Sequence, residues 1–131
     1  RRSEEFLPLV INNGIDAAAD AGKQVAAKDV LALGGMAILG ETPAASRKYY
    51  LVLEELWQLA YDAPPYHVPM GPVWTGSRQE VQDDALRLID TFELDKIFIW
   101  QHVGYFADEL AMASLQAFAE AVIEPLRQRE A

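Results

Sequence analysis

Ile97-Phe98-Ile99-Trp100 is an unbroken apolar run, so a strand formed there is greasy on both faces. Strands of that kind belong to parallel sheets with a layer packed on each side. The flanking sequence agrees. Ser77-Arg78-Gln79-Glu80 has the form of a capping box: a Ser hydroxyl to accept the N3 amide, and a Glu three residues on to reach back. The helix it opens shows Val81, Ala85, Leu88 and Ile89 on one face. A second amphipathic helix closes the chain through Leu110, Leu115, Phe118, Val122 and Leu126. The chain supplies too few such strands to build the sheet they call for.

Upstream, residues 3 to 21 repeat Phe6, Leu7, Val10, Ile11, Ile15 and Ala18 at helical spacing. Pro8 predicts a late start or a kink there, and Ala21-Gly22-Lys23 a stop. Residues 30 to 39 read as a buried strand whose Gly34-Gly35 pair permits a bulge or close approach of other backbone. Thr42-Pro43 then opens a helix, with Thr as N-cap and Pro at the first helical position, running to about Tyr61. Residues 62 to 76 hold four prolines and two glycines, which predicts a long loop without regular helix or central strand. Loops of that length often serve as lids. The two strands, near 30–39 and 96–101, are expected to lie parallel across a right-handed crossover. Two parallel strands leave unpaired edges and uncovered faces, so further strands from outside this sequence are expected to complete the sheet.

The chain has 131 residues, 51% hydrophobic, enough for one domain with a core. Eleven basic against 20 acidic residues give a formal charge of -9, which opposes nucleic acid and anionic membrane surfaces as partners. Zero cysteines remove disulfides and thiolate metal sites and suit a reducing, cytoplasmic setting. No apolar run approaches the ~20 residues of a membrane helix. The chain opens on Arg1-Arg2-Ser3 without an initiator Met, as a trimmed or internal piece would.

Residues 73 to 81, Val-Trp-Thr-Gly-Ser-Arg-Gln-Glu-Val, resemble the "G-(S/T)-P-E-E-V" helix start of luciferase-like flavin oxidoreductases. Glu93-Leu94-Asp95-Lys96-Ile97-Phe98-Ile99-Trp100 is similar to the turn and last barrel strand that follow in that family. Gly104, Asp108-Glu109 and Ser114-Leu115-Gln116-Ala117-Phe118-Ala119-Glu120-Ala121-Val122-Ile123-Glu124-Pro125-Leu126-Arg127 resemble its closing loop and helix. Gly40-Glu41-Thr42-Pro43 through Tyr49 resembles its "G-(E/D)-T-x-E-E-A-R" strand-to-helix junction. The chain departs from the pattern at Arg78, where Pro is usual, and at Ala44-Ala45-Ser46, where acidic residues are usual.

The resemblance implies an α/β fold, the C-terminal portion of a (β/α)₈ barrel with about two parallel strands and four or so helices. It implies oxidation of a small organic substrate by reduced FMN and O2, or hydride transfer with F420. The cofactor would be held mainly by residues outside this chain. A flavin reductase as partner, and a homo-oligomer or association with the rest of the barrel, belong to the same reading.

Barrel sites lie at the C-terminal ends of strands, which singles out Gln101-His102-Val103-Gly104-Tyr105-Phe106. His102 could donate a proton to a reacting flavin or substrate near neutral pH, or simply bond nearby backbone. Trp100 and Tyr105 could wall a pocket or pack the barrel. His67, in the Pro-rich loop, could act from a lid or stand on the surface. Neither histidine has a metal-ligand spacing. The alternative class is a non-enzymatic interaction module that docks a partner through Tyr49, Tyr50, Trp57 and Tyr61 on the helix face 49–61.

Overall fold

A computed structural model of the chain describes residues 2–67, 70–101 and 106–130. Helix α1 spans Arg2–Asp20 and runs through Pro8, where the expected late start does not occur; the ring only removes the bond to the carbonyl one turn back. Its Leu7 and Ile11 are buried. The end is a Schellman turn: Gly22, at φ 74°, donates to the Ala19 carbonyl at 2.9 Å, and Lys23 donates to that of Ala18 at 2.8 Å. A short helix α2, Ala27–Val30, occupies the start of the expected strand, so strand β1 begins only at Leu33 and ends at Ile38. Asp29 causes this, its carboxylate accepting the Ala26 N–H at 2.8 Å.

Helix α3, Pro43–Ala60, starts as expected, with the Thr42 hydroxyl accepting from the Ala45 amide at 3.2 Å. The described residues of the stretch 62–76 form no helix and no central strand, as expected, but they are not all loop. They include an antiparallel pair, β2 (Asp62–Ala63) with β3 (Tyr66–His67), and then a third parallel strand, β4, Val73–Thr75. Proline did not prevent this because Pro72 precedes the strand and serves as an acceptor only, taking the Met36 N–H at 3.0 Å. Helix α4 is Arg78–Phe92, strand β5 Ile97–Ile99, helix α5 Asp108–Phe118 and helix α6 Glu124–Glu130.

A π-helical stretch, Ala119–Ile123, joins the last two helices. Pro125 offers no N–H to the Ala121 carbonyl four residues back, and Gln82 of α4 donates its Nε2 there at 2.7 Å.

The sheet order is β4–β1–β5, all parallel. The expected adjacency of the first and last strands is present: Leu33, Gly34 and Gly35 stand opposite Ile97, Phe98 and Ile99. Helices lie on both faces. Leu33, Ala37 and Leu39 pack with Val81, Ala85 and Leu88 of α4 and with Phe118 and Val122. Met36 and Ile38 point the other way, to Leu53 and Trp57 of α3. The fold is thus α/β with three parallel strands and β1 at the centre.

The Gly34-Gly35 pair admits neighbouring aromatic rings. Phe98 lies across Gly34 on one face, and a Cβ at Gly34 would come within 2.6 Å of its Cε2. Trp74 covers Gly35 on the other face, where the Pro72 carbonyl also stands 2.8 Å from the place of a Cβ. Trp74 is 1% exposed and Phe98 is 52% exposed, so only Phe98 is free to move aside. Filling that space fixes the Trp74 ring at the cost of a buried indole N–H without a partner among the described residues. Gly35→Ala is therefore expected to destabilise by about 1–3 kcal/mol through overpacking. Gly34→Ala should cost clearly less. Urea unfolding of the two variants side by side checks the difference.

Candidate functional site

The C-terminal ends of β1 and β4 open on one groove of about 970 Å³. Its rim is made by three chain turns that run from strand into helix. Leu39, Gly40, Glu41 and Thr42 lead from β1 to α3; Gly76 and Ser77 lead from β4 to α4; Ala107 precedes α5, which contributes Glu109, Leu110 and Ala113. Parallel α/β sheets bind ligands outside the carboxyl ends of their strands, and this groove lies there.

Ser46 ties the first two turns together. Fully buried, its hydroxyl accepts the Gly40 N–H at 2.9 Å and lies 3.1 Å from the Thr42 carbonyl and 3.3 Å from that of Gly76, to either of which it can donate. Gly76 takes φ 114°, a conformation costly for any side chain, and so aims the chain into the α4 capping box. There Ser77 N–H donates to Glu80 Oε2 at 2.7 Å and Glu80 N–H to Ser77 Oγ at 3.1 Å. The bond from the Ser77 backbone, then that from its hydroxyl, holds the Glu80 carboxyl below the usual Glu range. Since the folded value is depressed, this stabilisation is complete above the ordinary Glu range. It is lost as pH falls through the depressed value. An acid titration followed by helical circular dichroism should show the Glu80→Gln chain losing less stability over that window than the parent.

The groove wall is apolar in Leu39, Leu110, Ala113 and Ala117, with Tyr49 at the side. Its charges are Glu41, Glu109 and Arg78, and Arg78 is paired with Glu120 of the closing helix. Gln116 first, then Arg78, holds the Glu120 carboxyl below its usual range. Such a lining suits an apolar or aromatic body and repels a phosphate. Among the described residues no group of His, Cys, Asp or Glu is placed to hold a metal ion. Nor is any helix among them long and apolar enough to cross a membrane.

Beside the groove, β1 continues past the end of β5, and side chains take over its hydrogen bonds. Gln101 Oε1 accepts the Ala37 N–H at 3.1 Å, and Gln101 Nε2 donates to the Ala37 carbonyl at 2.9 Å. One rung on, the Ser114 hydroxyl of α5 accepts the Leu39 N–H at 3.0 Å. Both contacts border a small cavity of about 20 Å³ lined also by Met36, Leu53, Phe106 and Leu110.

The candidates named from the sequence fall in several places. Trp100 follows β5 on the α3 side, its ring 6.1 Å from that of Trp57, and it is not among the described residues lining the groove. His67 belongs to β3, opposite Asp62. His102 and Tyr105 lie outside the described residues, as do Val68 and Pro69 of the stretch read as a lid. Sequence reasoning missed Ser46, Gln101 and Ser114 as structural anchors of the site. Ser114 carried a signal, a small polar residue on the apolar stripe of Ala111, Ala117 and Phe118. Ser114→Ala strands the buried Leu39 amide and is expected to cost about 1–3 kcal/mol in thermal or urea unfolding.

The chain matches no protein-family profile, no curated protein and no solved structure.

Proposed function

We propose that this chain forms the C-terminal part of a luciferase-like flavin oxidoreductase and supplies one wall of its substrate pocket. What carries the reading is where the family-like motifs fall. Gly40-Glu41-Thr42-Pro43 and Gly76-Ser77-Arg78-Gln79-Glu80 both stand at strand-to-helix turns, and Ile97–Ile99 is a strand parallel to the others. The first two of these turns border a single groove at the carboxyl ends of the strands.

The groove fits the ring of a flavin better than its phosphate. At about 970 Å³ it is roomy, and Leu39, Tyr49 and Leu110 offer apolar surface, whereas Glu41 and Glu109 oppose an anion. Phosphate-binding residues would then lie elsewhere in the parent enzyme. When bound, reduced FMN would supply the electrons for oxidising a small organic substrate with O2; F420 would supply hydride instead. This chain's residues hold the ring's environment dry, and Ser46 keeps the two turns in register.

The barrel makes a structural demand. Barrel strands follow one another around the ring with their helices outside, so β4 would stand between β1 and β5 and α3 would move to the outer surface. In the chain as it folds here, β1 holds the central place. The test is the longer encoded protein. It should purify yellow or take up FMN or F420 from solution, with β4 inserted between the other two strands. A colourless product that binds neither cofactor overturns the flavin reading. A structure keeping Leu33 opposite Ile97 overturns the barrel.

A second reading has its own support. Helix α3 exposes Tyr49, Val52 and Leu59 along one side, with Leu51 beside them and Tyr61 just past its end, apolar surface of the kind that docks a partner. Concentration-dependent association that disappears in Leu51→Glu, without any chromophore, would favour the interaction module.

A further inference from the structure

We propose that the open edge of β5 is an interface between two copies of this chain, paired as antiparallel strands about a two-fold axis at Phe98. The inference is independent of the flavin reading, under which a strand of the parent enzyme would take that edge instead. β5 stands last in the sheet order, so among the described residues it has a neighbouring strand on one side only. Leu33 N–H donates to the Lys96 carbonyl at 3.1 Å, and Trp100 N–H donates to the Gly35 carbonyl at 2.9 Å. With Gly34 opposite Phe98, the rung between these bonds uses both backbone groups of Phe98. The N–H and C=O of Ile97 and Ile99 therefore point the other way, along the open edge. Such edges are commonly guarded by charge or proline, and Ile97 to Trp100 holds neither.

The four outward groups fit a second copy of themselves. In an antiparallel pair, directly opposed residues alternate between exchanging two hydrogen bonds and exchanging none. An axis at Phe98 sets Ile97 against Ile99 of the partner subunit, and Ile99 against the partner's Ile97, so every outward group is bonded. An axis at Ile97 or Ile99 instead calls on Asp95 or Gln101, outside the stretch 96–100 that runs extended beside β1. With the axis at Phe98, this half-exposed ring meets the partner's Phe98 in the non-bonded position, where opposed side chains come closest. Lys96 faces Trp100 of the partner subunit, a cation against an indole ring, and Asp95 faces the partner's Gln101, so no like charges are opposed. The pairing joins two three-stranded sheets into one of six.

Sedimentation equilibrium tests this in about 0.5 M NaCl, which screens the charge of -9 on each copy. The contact is small, so half-association is expected on the order of 0.1–1 mM chain. Phe98→Asp opposes two like charges and should weaken association about tenfold or more while helical circular dichroism is unchanged. Absence of association at about 1 mM overturns the proposal. So does association that survives Phe98→Asp and disappears in Leu51→Glu, which would assign the contact to α3. The register has a separate readout, because the chain has no cysteine of its own. Phe98→Cys sets two Cα atoms about 4.5 Å apart across the axis, within disulfide reach, whereas Lys96→Cys sets them well outside it. Scaled to each thiol's rate with a small disulfide reagent, Phe98→Cys should form the linked dimer about tenfold or more faster than Lys96→Cys. Equal scaled rates would overturn the two-fold pairing, and this comparison decides the matter if Phe98→Asp does not fold.

Discussion

The sheet depends on a gap at the centre of its middle strand. Gly34 and Gly35 leave both faces of β1 without side chains over two consecutive residues, and each neighbouring strand lays one aromatic ring into the space. Phe98 comes from β5 and Trp74 from β4, so the strand is gripped from both sides and on both faces. The Trp74 ring then meets Phe118 at 5.1 Å and carries the contact into the closing helix. A larger residue at position 35 would push β4 away and, with it, the turn that opens α4. The groove at the strand ends inherits its shape from that fit.

Around this centre, the chain repeatedly uses side chains or prolines where a longer sheet or a regular helix would use peptide groups. Pro72 gives an acceptor to the Met36 amide, Gln101 completes a rung for Ala37, and Ser114 completes the next for Leu39. These bonds matter because the groups they satisfy belong to a buried strand, where an unpaired N–H is expensive. They also show how three short strands can hold together. The ladder is brief, but past its end Ala37 is held by the Gln101 side chain and Leu39 by Ser114 of α5 rather than left to fray.

Much of this was legible in the sequence. The capping box at Ser77, the Thr42-Pro43 helix start, the Gly22 stop and the pairing of the first and last parallel strands all follow from local chemistry, which leaves a mark in neighbouring residues. The misses were mostly non-local. Whether Val73-Trp74-Thr75 is loop or strand depends on Gly35, 38 to 40 positions earlier, offering a slot for an indole ring. Prolines ahead of such a stretch speak only for the peptide groups they remove. One miss was local: Asp29, bonded to the Ala26 N–H three residues back, caps a helical turn over 27 to 30 that takes Val30 from the run that reads as strand. The anchors Ser46 and Gln101 bond to backbone far away in sequence or around a turn, so their roles depend on the assembled sheet. His102 and Tyr105 lie outside the described residues, and the role of Gln101 just before them shows only once β1 is in place beside it.

The meeting of Gln82 with the Ala121 carbonyl sets a rule for how this protein can vary. Pro125 withholds the ordinary helical donor from that carbonyl, and a residue on another helix makes up the deficit. Positions 82 and 125 are therefore linked through a shared acceptor, although neither touches the other's peptide group in the usual sense. A lineage that regains an amide at 125 releases position 82 to drift. One that keeps the proline favours a side chain at 82 that can donate to the same carbonyl.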